Sequence, residues 1–178
     1  SDIIGEKKNF QQWIGIAPFA AHEGKILPTE KTEELIKEIS RRHPSCRIFL
    51  FGGGEKEHAI LNAWCERYNN CTNASQALSS LKEEMVVMSH LDVMVSMDSG
   101  NMHLAAISGT RVISVWGETH PYAGFLGWNQ RPEDCIQADL PCRPCSIYGN
   151  KPCQRGDYAC LTSIDPITIA DKVDWILN

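Results

Sequence analysis

The tetrapeptide Asp98-Ser99-Gly100-Asn101 joins the apolar run Val93-Met94-Val95-Ser96-Met97 to the helical pattern Met102-His103-Leu104-Ala105-Ala106. A strand that feeds a helix through so short a polar loop makes an anion-binding corner. Ser99 and Asn101 are good N-cap types, Gly100 lets backbone come close to a ligand, and the unpaired N–H groups of the first helical turn point at whatever lies above them. Asp98 and His103 flank the corner, where a carboxylate can take hydroxyls and an imidazole can face phosphate charge. A sugar nucleotide combines both chemistries. The plainer reading is that Asp98 or Ser99 caps the helix while His103 is a half-buried surface residue, and the corner by itself leaves both open.

The elements that must position this corner read as alternating strands and helices. Trp13 to Phe19 forms a short buried strand, followed by a helix from about Glu30 to Arg42 opened by Pro28-Thr29. Arg47 to Phe51 is a second strand, broken by Gly52-Gly53-Gly54, with a helix from about Glu55 to Tyr68 whose Ile60, Leu61, Trp64 and Cys65 share one face. Cys71-Thr72-Asn73 is a candidate edge strand, Leu81 to Ser89 a helix, Val93 to Met97 a strand, Met102 to Ser108 a helix, and Val112 to Trp116 a strand. Pro166 to Leu177 reads as a C-terminal helix after a cysteine-rich loop over 135–160. Short connections in such a β-α series imply a parallel sheet covered by helices, with right-handed crossovers placing every strand-to-helix loop along one edge.

Ligands of open α/β sheets bind outside the carboxyl ends of the strands, and the unusual residues lie in the loops that follow strands. They are Ala20-Ala21-His22-Glu23-Gly24-Lys25, Gly52-Gly53-Gly54-Glu55, the Asp98 corner, and Gly117-Glu118-Thr119-His120-Pro121. Lys25 can reach a diphosphate as a point charge, Gly52 and Gly53 let a nucleoside pack on backbone, and Glu55 can accept ribose hydroxyls. Each also has a bland reading: a solvated lysine, a turn, a carboxylate favoured at a helix start. Together on one edge they favour a site. Neither Gly-x-Gly-x-x-Gly with its following acidic residue nor Gly-x-x-x-x-Gly-Lys-Ser/Thr is present, which argues against ordinary NAD binding and against an ATPase.

Composition narrows the class further. The 178 residues are 43% hydrophobic and 22% charged, enough for one globular domain with a real core. No apolar run approaches the ~20 residues that cross a bilayer, and the N-terminus lacks a signal-peptide pattern, so the expectation is a soluble intracellular chain. A formal net charge of −5 argues against nucleic acid, whose backbone needs a concentrated Lys/Arg face.

The segment Asp98-Ser99-Gly100-Asn101-Met102-His103-Leu104-Ala105-Ala106, continued by Gly109-Thr110-Arg111-Val112 and Trp116-Gly117-Glu118-Thr119-His120-Pro121, resembles glycosyltransferase family 9, the ADP-heptose:lipopolysaccharide heptosyltransferases. The likeness extends to Ile16-Ala17-Pro18, Lys25-Ile26-Leu27-Pro28 and Leu50-Phe51-Gly52-Gly53, and so covers most of the chain from about Trp13 onward. It implies the GT-B architecture, two Rossmann-like domains across a cleft, with this chain as the C-terminal, donor-binding half at residues 13–178; the polar stretch 1–12 reads separately as a linker or as a remnant outside the domain. The acceptor-binding N-terminal domain, with the family's proposed general base, would then be a partner outside this chain. No catalytic residue is expected here, and the fragment alone should bind but scarcely catalyse an inverting transfer.

By the same resemblance Asp98 would hold heptose hydroxyls, and Ser99, Gly100 and Asn101 would meet the diphosphate of the nucleotide-sugar donor through backbone N–H groups. His103 would stabilise the leaving diphosphate and Lys25 would neutralise it. Glu55, or else Glu57, would take the ribose, and His120 is a cleft contact. Related enzymes often carry hydroxyl residues where this chain has Ala20 and Ala21. The resemblance also implies a cytoplasmic enzyme, peripheral at the inner face of the inner membrane as part of the full protein. The alternative function is a non-catalytic nucleotide or sugar-phosphate binding module.

Cys142-Arg143-Pro144-Cys145, then Cys153 and Cys160, offer four sulfurs that can make a structural tetrahedral zinc site, or remain free thiols packing as small hydrophobes. Transfer on this architecture requires no metal. A third reading makes this loop a metal-dependent interaction platform. Trp116, Tyr122, Phe125 and Trp128 are open to a sugar-facing or interdomain patch, but at this spacing read first as ordinary core and loop packing.

Overall fold

The computed structural model describes residues 4–9 and 11–178. Six parallel strands, β1 (Trp13–Ala17), β2 (Arg47–Leu50), β3 (Cys71–Asn73), β4 (Val93–Met97), β5 (Val112–Trp116) and β6 (Cys135–Gln137), form one sheet in the order β3-β2-β1-β4-β5-β6. Every residue of β1, β4 and β5 is buried. That is why these strands read as continuous apolar runs rather than alternating ones: helices cover both faces of the sheet.

One face carries α1 (Thr29–Arg42), α2 (Gly54–Arg67) and α7 (Pro166–Leu177), which pack Leu35, Ile36, Leu61, Trp64, Ile169 and Val173 against Ile14, Ile16, Val93 and Val95. The other carries α4 (Leu81–Met88) and α5 (Gly100–Ile107), whose Val87, Met88, Met102 and Ala105 meet Trp13, Phe49, Met94 and Trp116. Two single turns, α3 (Ala74–Ala77) and α6 (Ala159–Thr162), complete the set of α-helices found among the described residues. The doubly wound α/β expectation is met, including the edge position of β3. β6, α3 and α6 were not anticipated. Of the segment expected to be a linker, Ser1, Asp2, Ile3 and Phe10 lie outside the described residues; Ile4 is buried in the second cluster and Lys7 pairs with Asp92 at 2.8 Å, so part of it packs on the domain. No described helix is long and apolar enough to cross a membrane.

The strand order matters for function because it reverses between β1 and β4, where β1 pairs with β2 on one side and with β4 on the other. At such a switch point the loops leaving adjacent strands turn to opposite faces and open a crevice. The loops after β1 and β4 carry Lys25 and Asp98.

Candidate functional site

A cavity of about 250 Å³ opens at this switch point, lined by Ala21, Lys25, Asp98, Ser99, Gly100, His103, Phe125 and Tyr148. Asp98 follows the last residue of β4 and is only 4% exposed. A carboxylate that far from water needs partners, and it has two: Lys25 Nζ at 3.0 Å and the Thr119 hydroxyl, which donates at 2.8 Å. Among the described residues both contacts fall on Oδ2, and Oδ1 has no hydrogen-bond partner. Lys25 closes the one-turn 3₁₀ helix Glu23–Lys25 after β1, and its ammonium is thereby held at the cavity rather than waving in solvent.

Ser99 takes the N-cap position of α5 with extended φ −151° and ψ 172°, but its side chain makes no cap hydrogen bond; its Oγ lies 3.4 Å from that of Ser96. Of the plainer reading, in which Asp98 or Ser99 caps the helix, the Ser99 position holds but its side-chain hydrogen bond does not. The Ser80, Asn73 and Asp165 side chains do cap α4, α3 and α7. The leading N–H groups of α5, Gly100 and Asn101, have no intrahelical acceptor and, among the described residues, no capping oxygen, so they are open to an anion. His103 sits one turn on, exposed, on the cavity side.

Other expected contacts lie elsewhere. Gly52, Gly53, Glu55, Asn101 and His120 do not line this cavity. Glu57 folds back, its Oε2 accepting from Gly53 N–H at 2.7 Å, while Glu55 stands exposed at the start of α2. His120 serves locally: its Nδ1 accepts from Tyr122 N–H at 3.1 Å, capping a 3₁₀ turn, and burial together with the Arg143 charge lowers its pKa. The aromatic expectation also divides. Trp116 is core, Tyr122 and Trp128 are exposed, and Phe125 faces the cavity.

Sequence reasoning missed the buttress behind the site. Arg143, in the cysteine loop, donates to the carbonyls of Gly117 at 2.5 Å, Thr119 at 2.9 Å and Ala138 at 2.6 Å, and Cys145 N–H donates to Glu118 O at 3.2 Å. Glu118 N–H in turn donates to Gly24 O at 2.9 Å, a contact so close that a Cβ at Gly24 would collide with the Glu118 side chain. One chain of contacts thus runs from the cysteine loop through the segment after β5 to Asp98 and Lys25. The Glu118 carboxylate itself is fully buried with neither oxygen partnered among the described residues, and burial, reinforced by the Glu23 charge, raises its pKa.

The sequence leaves Cys142, Cys145, Cys153 and Cys160 open to a zinc site or to free thiols. Cys142 is exposed, Cys145 and Cys153 half-buried, Cys160 buried, and no group of three or more His, Cys, Asp or Glu among the described residues is placed to hold a metal ion. Burial pushes the Cys160 thiol to about 11 and raises Cys145 as well. A larger surface depression, about 640 Å³ beside Lys8, Gln11, Arg47 and Asn70, lies at the amino ends of the strands and lacks a helix N-terminus.

Comparison with known proteins fits this geometry. The profile of Glycosyltransferase family 9 (heptosyltransferase) matches residues 5–154. The chain belongs to glycosyltransferase family 9. Among family relatives, the Campylobacter jejuni lipooligosaccharide heptosyltransferase 2 is 22% identical over 178 aligned residues, 96% of this chain and 53% of that protein. Of solved structures, E. coli ADP-heptose LPS heptosyltransferase II superposes with a TM-score of 0.71 at 20% identity, covering 96% of this chain and 47% of its own. The E. coli heptosyltransferase WaaC solved with ADP gives 0.67 at 19%, covering 96% and 46%. This family 9 chain therefore spans about half the length of the relatives it matches.

Proposed function

We propose that this family 9 chain is the nucleotide-sugar-binding half of a heptosyltransferase-like enzyme of lipopolysaccharide assembly, acting on an ADP-sugar. The observation that carries the reading is the Lys25–Asp98–Thr119 cluster beside the uncapped start of α5, at the one point where the strand order reverses. Half a cleft also explains the cavity's size, since about 250 Å³ falls below the ~300–1,000 Å³ of complete ligand pockets.

In this reading the Gly100 and Asn101 N–H groups and the Lys25 ammonium receive the diphosphate, while Asp98 Oδ1 accepts a sugar hydroxyl. These groups stabilise charge that grows on the diphosphate as the glycosidic bond breaks, and His103, exposed one turn along α5, adds a donor to the departing phosphate. Glu55 takes the ribose, because Glu57 is already engaged by Gly53. The acceptor and the base that deprotonates it belong to a partner domain, so the chain binds donor and transfers nothing alone, as a cytoplasmic protein working at the inner membrane face.

Calorimetric titration with ADP, UDP and GDP tests this. ADP-selective binding that weakens in His103→Ala, and sugar transfer from ADP-heptose once an acceptor-binding half is supplied, are the expected results. Binding without transfer in the reconstituted pair would make the chain a non-catalytic nucleotide or sugar-phosphate module, and no nucleotide binding would refute both.

A further inference from the structure

We infer that Phe125 and Tyr148 form the wall against which the donor's sugar ring rests, opposite Asp98. This rests on the donor reading above and names what that side of the site takes.

Tyr148 is 60% exposed, yet the backbone beside it is fixed. Ser146 is buried, and its Oγ accepts from the N–H groups of Gly149 at 2.8 Å and Asn150 at 3.3 Å. Gly149 has φ +70° and packs so closely on Lys25 that a Cβ there would stand 2.7 Å from Lys25 Cγ. The loop is therefore locked onto the lysine that faces the ligand, and it holds a phenol ring in solvent while doing so. A large ring fixed beside a charged pocket gains its burial from a ligand, and because its backbone is already ordered little entropy is lost when that happens. Phe125 reaches the same place from the segment after β5, half-buried, with its ring centre 6.0 Å from that of Tyr148 and the planes tilted by 49°.

The cavity is divided by chemistry. Lys25, Asp98, Ser99 and His103 supply charge and hydrogen bonds on one side, and the two rings supply apolar surface on the other. A pyranose has the matching pair of features, a rim of hydroxyls and a face of C–H bonds. Strand order separates it from the nucleoside. Gly52, Gly53 and Glu55 follow β2, on one side of the β1/β4 crevice, whereas Phe125 and Tyr148 belong to segments that follow β5 and β6, on the other. With the diphosphate on α5 between them, the base and ribose extend toward β2 and the sugar toward the rings.

The experiment is parallel titration of the chain with ADP and with ADP-heptose for the unaltered protein, Tyr148→Ala, Tyr148→Phe and Phe125→Ala, with melting temperatures as a folding control. Tyr148→Ala should weaken ADP-heptose about five- to tenfold while ADP changes less than twofold, Phe125→Ala should act in the same direction, and Tyr148→Phe should restore the affinity. Equal weakening of ADP would place the nucleoside on the rings and overturn the assignment, as would unchanged ADP-heptose affinity in a folded Tyr148→Ala. Failure of the unaltered chain to bind ADP would instead overturn the donor reading, and the sugar wall with it.

Discussion

Replacing Lys25 by methionine removes the cation from the centre of the site while keeping the apolar stem that packs on Gly149. The ammonium lies 3.0 Å from Asp98 Oδ2, with side-chain exposures of 16% and 5%. Removing one member of a fully buried pair costs about 3–5 kcal/mol, because the remaining charge stays out of water. Residual access at Lys25 and the Thr119 hydroxyl, which still donates to Asp98, lower this to about 2–3 kcal/mol. Urea unfolding of Lys25→Met should show that loss, and Lys25→Met/Asp98→Asn should recover most of it, since the double variant leaves no unpaired charge. Binding should fall at the same time. A charge-assisted contact to phosphate contributes about 1.5–3 kcal/mol, so ADP affinity measured by calorimetry should drop roughly 10- to 150-fold. The salt dependence of binding should also flatten. ADP affinity within twofold of the unaltered chain, in a variant still folded, would refute the placement of the diphosphate at Lys25.

Other predictions follow from the buttress. Glu118 is buried without partners and its pKa is raised by burial and by Glu23, so between the ordinary carboxylate value and the raised one the folded state binds more protons than the unfolded. Stability should therefore fall as pH rises through that window, and Glu118→Gln should remove this slope and unfold at higher urea at neutral pH, by about 1–2 kcal/mol; an unchanged pH profile would show that the carboxylate is not the cause. Arg143→Met strips donors from the Gly117, Thr119 and Ala138 carbonyls and should cost about 3 kcal/mol. It should also expose residues 138–158 to protease; resistance equal to that of the unaltered chain would remove Arg143 from the buttress. Thr119→Val should cost about 1–2 kcal/mol and raise the off-rate for ADP-heptose, because Asp98 loses a neutral partner on Oδ2; identical kinetics would show that Lys25 alone positions Asp98.

Much of this architecture is written in local pattern. β1, β4 and β5 are buried on both faces, so their apolar runs carry the strand signal directly, and α7 begins with Asp165 capping Ile167 N–H and Pro166 in the first turn, a start signal that matches its bounds. Lys25, Asp98, Ser99, Gly100 and His103 were legible for a related reason: each sits just past a strand, and the β-α alternation alone brings such loops to one edge. β6 was not legible because Cys135-Ile136-Gln137 is a three-residue edge strand with one large apolar side chain. Tyr148 was hidden for a different reason, and Phe125 read first as ordinary packing. They lie in long stretches without periodicity, and what joins them to the site is a set of distant contacts: Arg143 to Thr119, Cys145 to Glu118, Gly149 to Lys25. Between Cys142 and Cys145 it is Arg143 that ties this loop to the Gly117 and Thr119 carbonyls, a role no spacing signals.

The central claim, that the β1/β4 crevice receives the diphosphate of a nucleotide sugar, is tested most directly by following backbone amide resonances of the chain during titration with ADP. The largest shifts should fall on Gly100 and Asn101, the open N–H groups of α5, with smaller ones at Lys25. Shifts confined to the groove beside Lys8, Arg47 and Asn70, or none at saturating ADP, would contradict it.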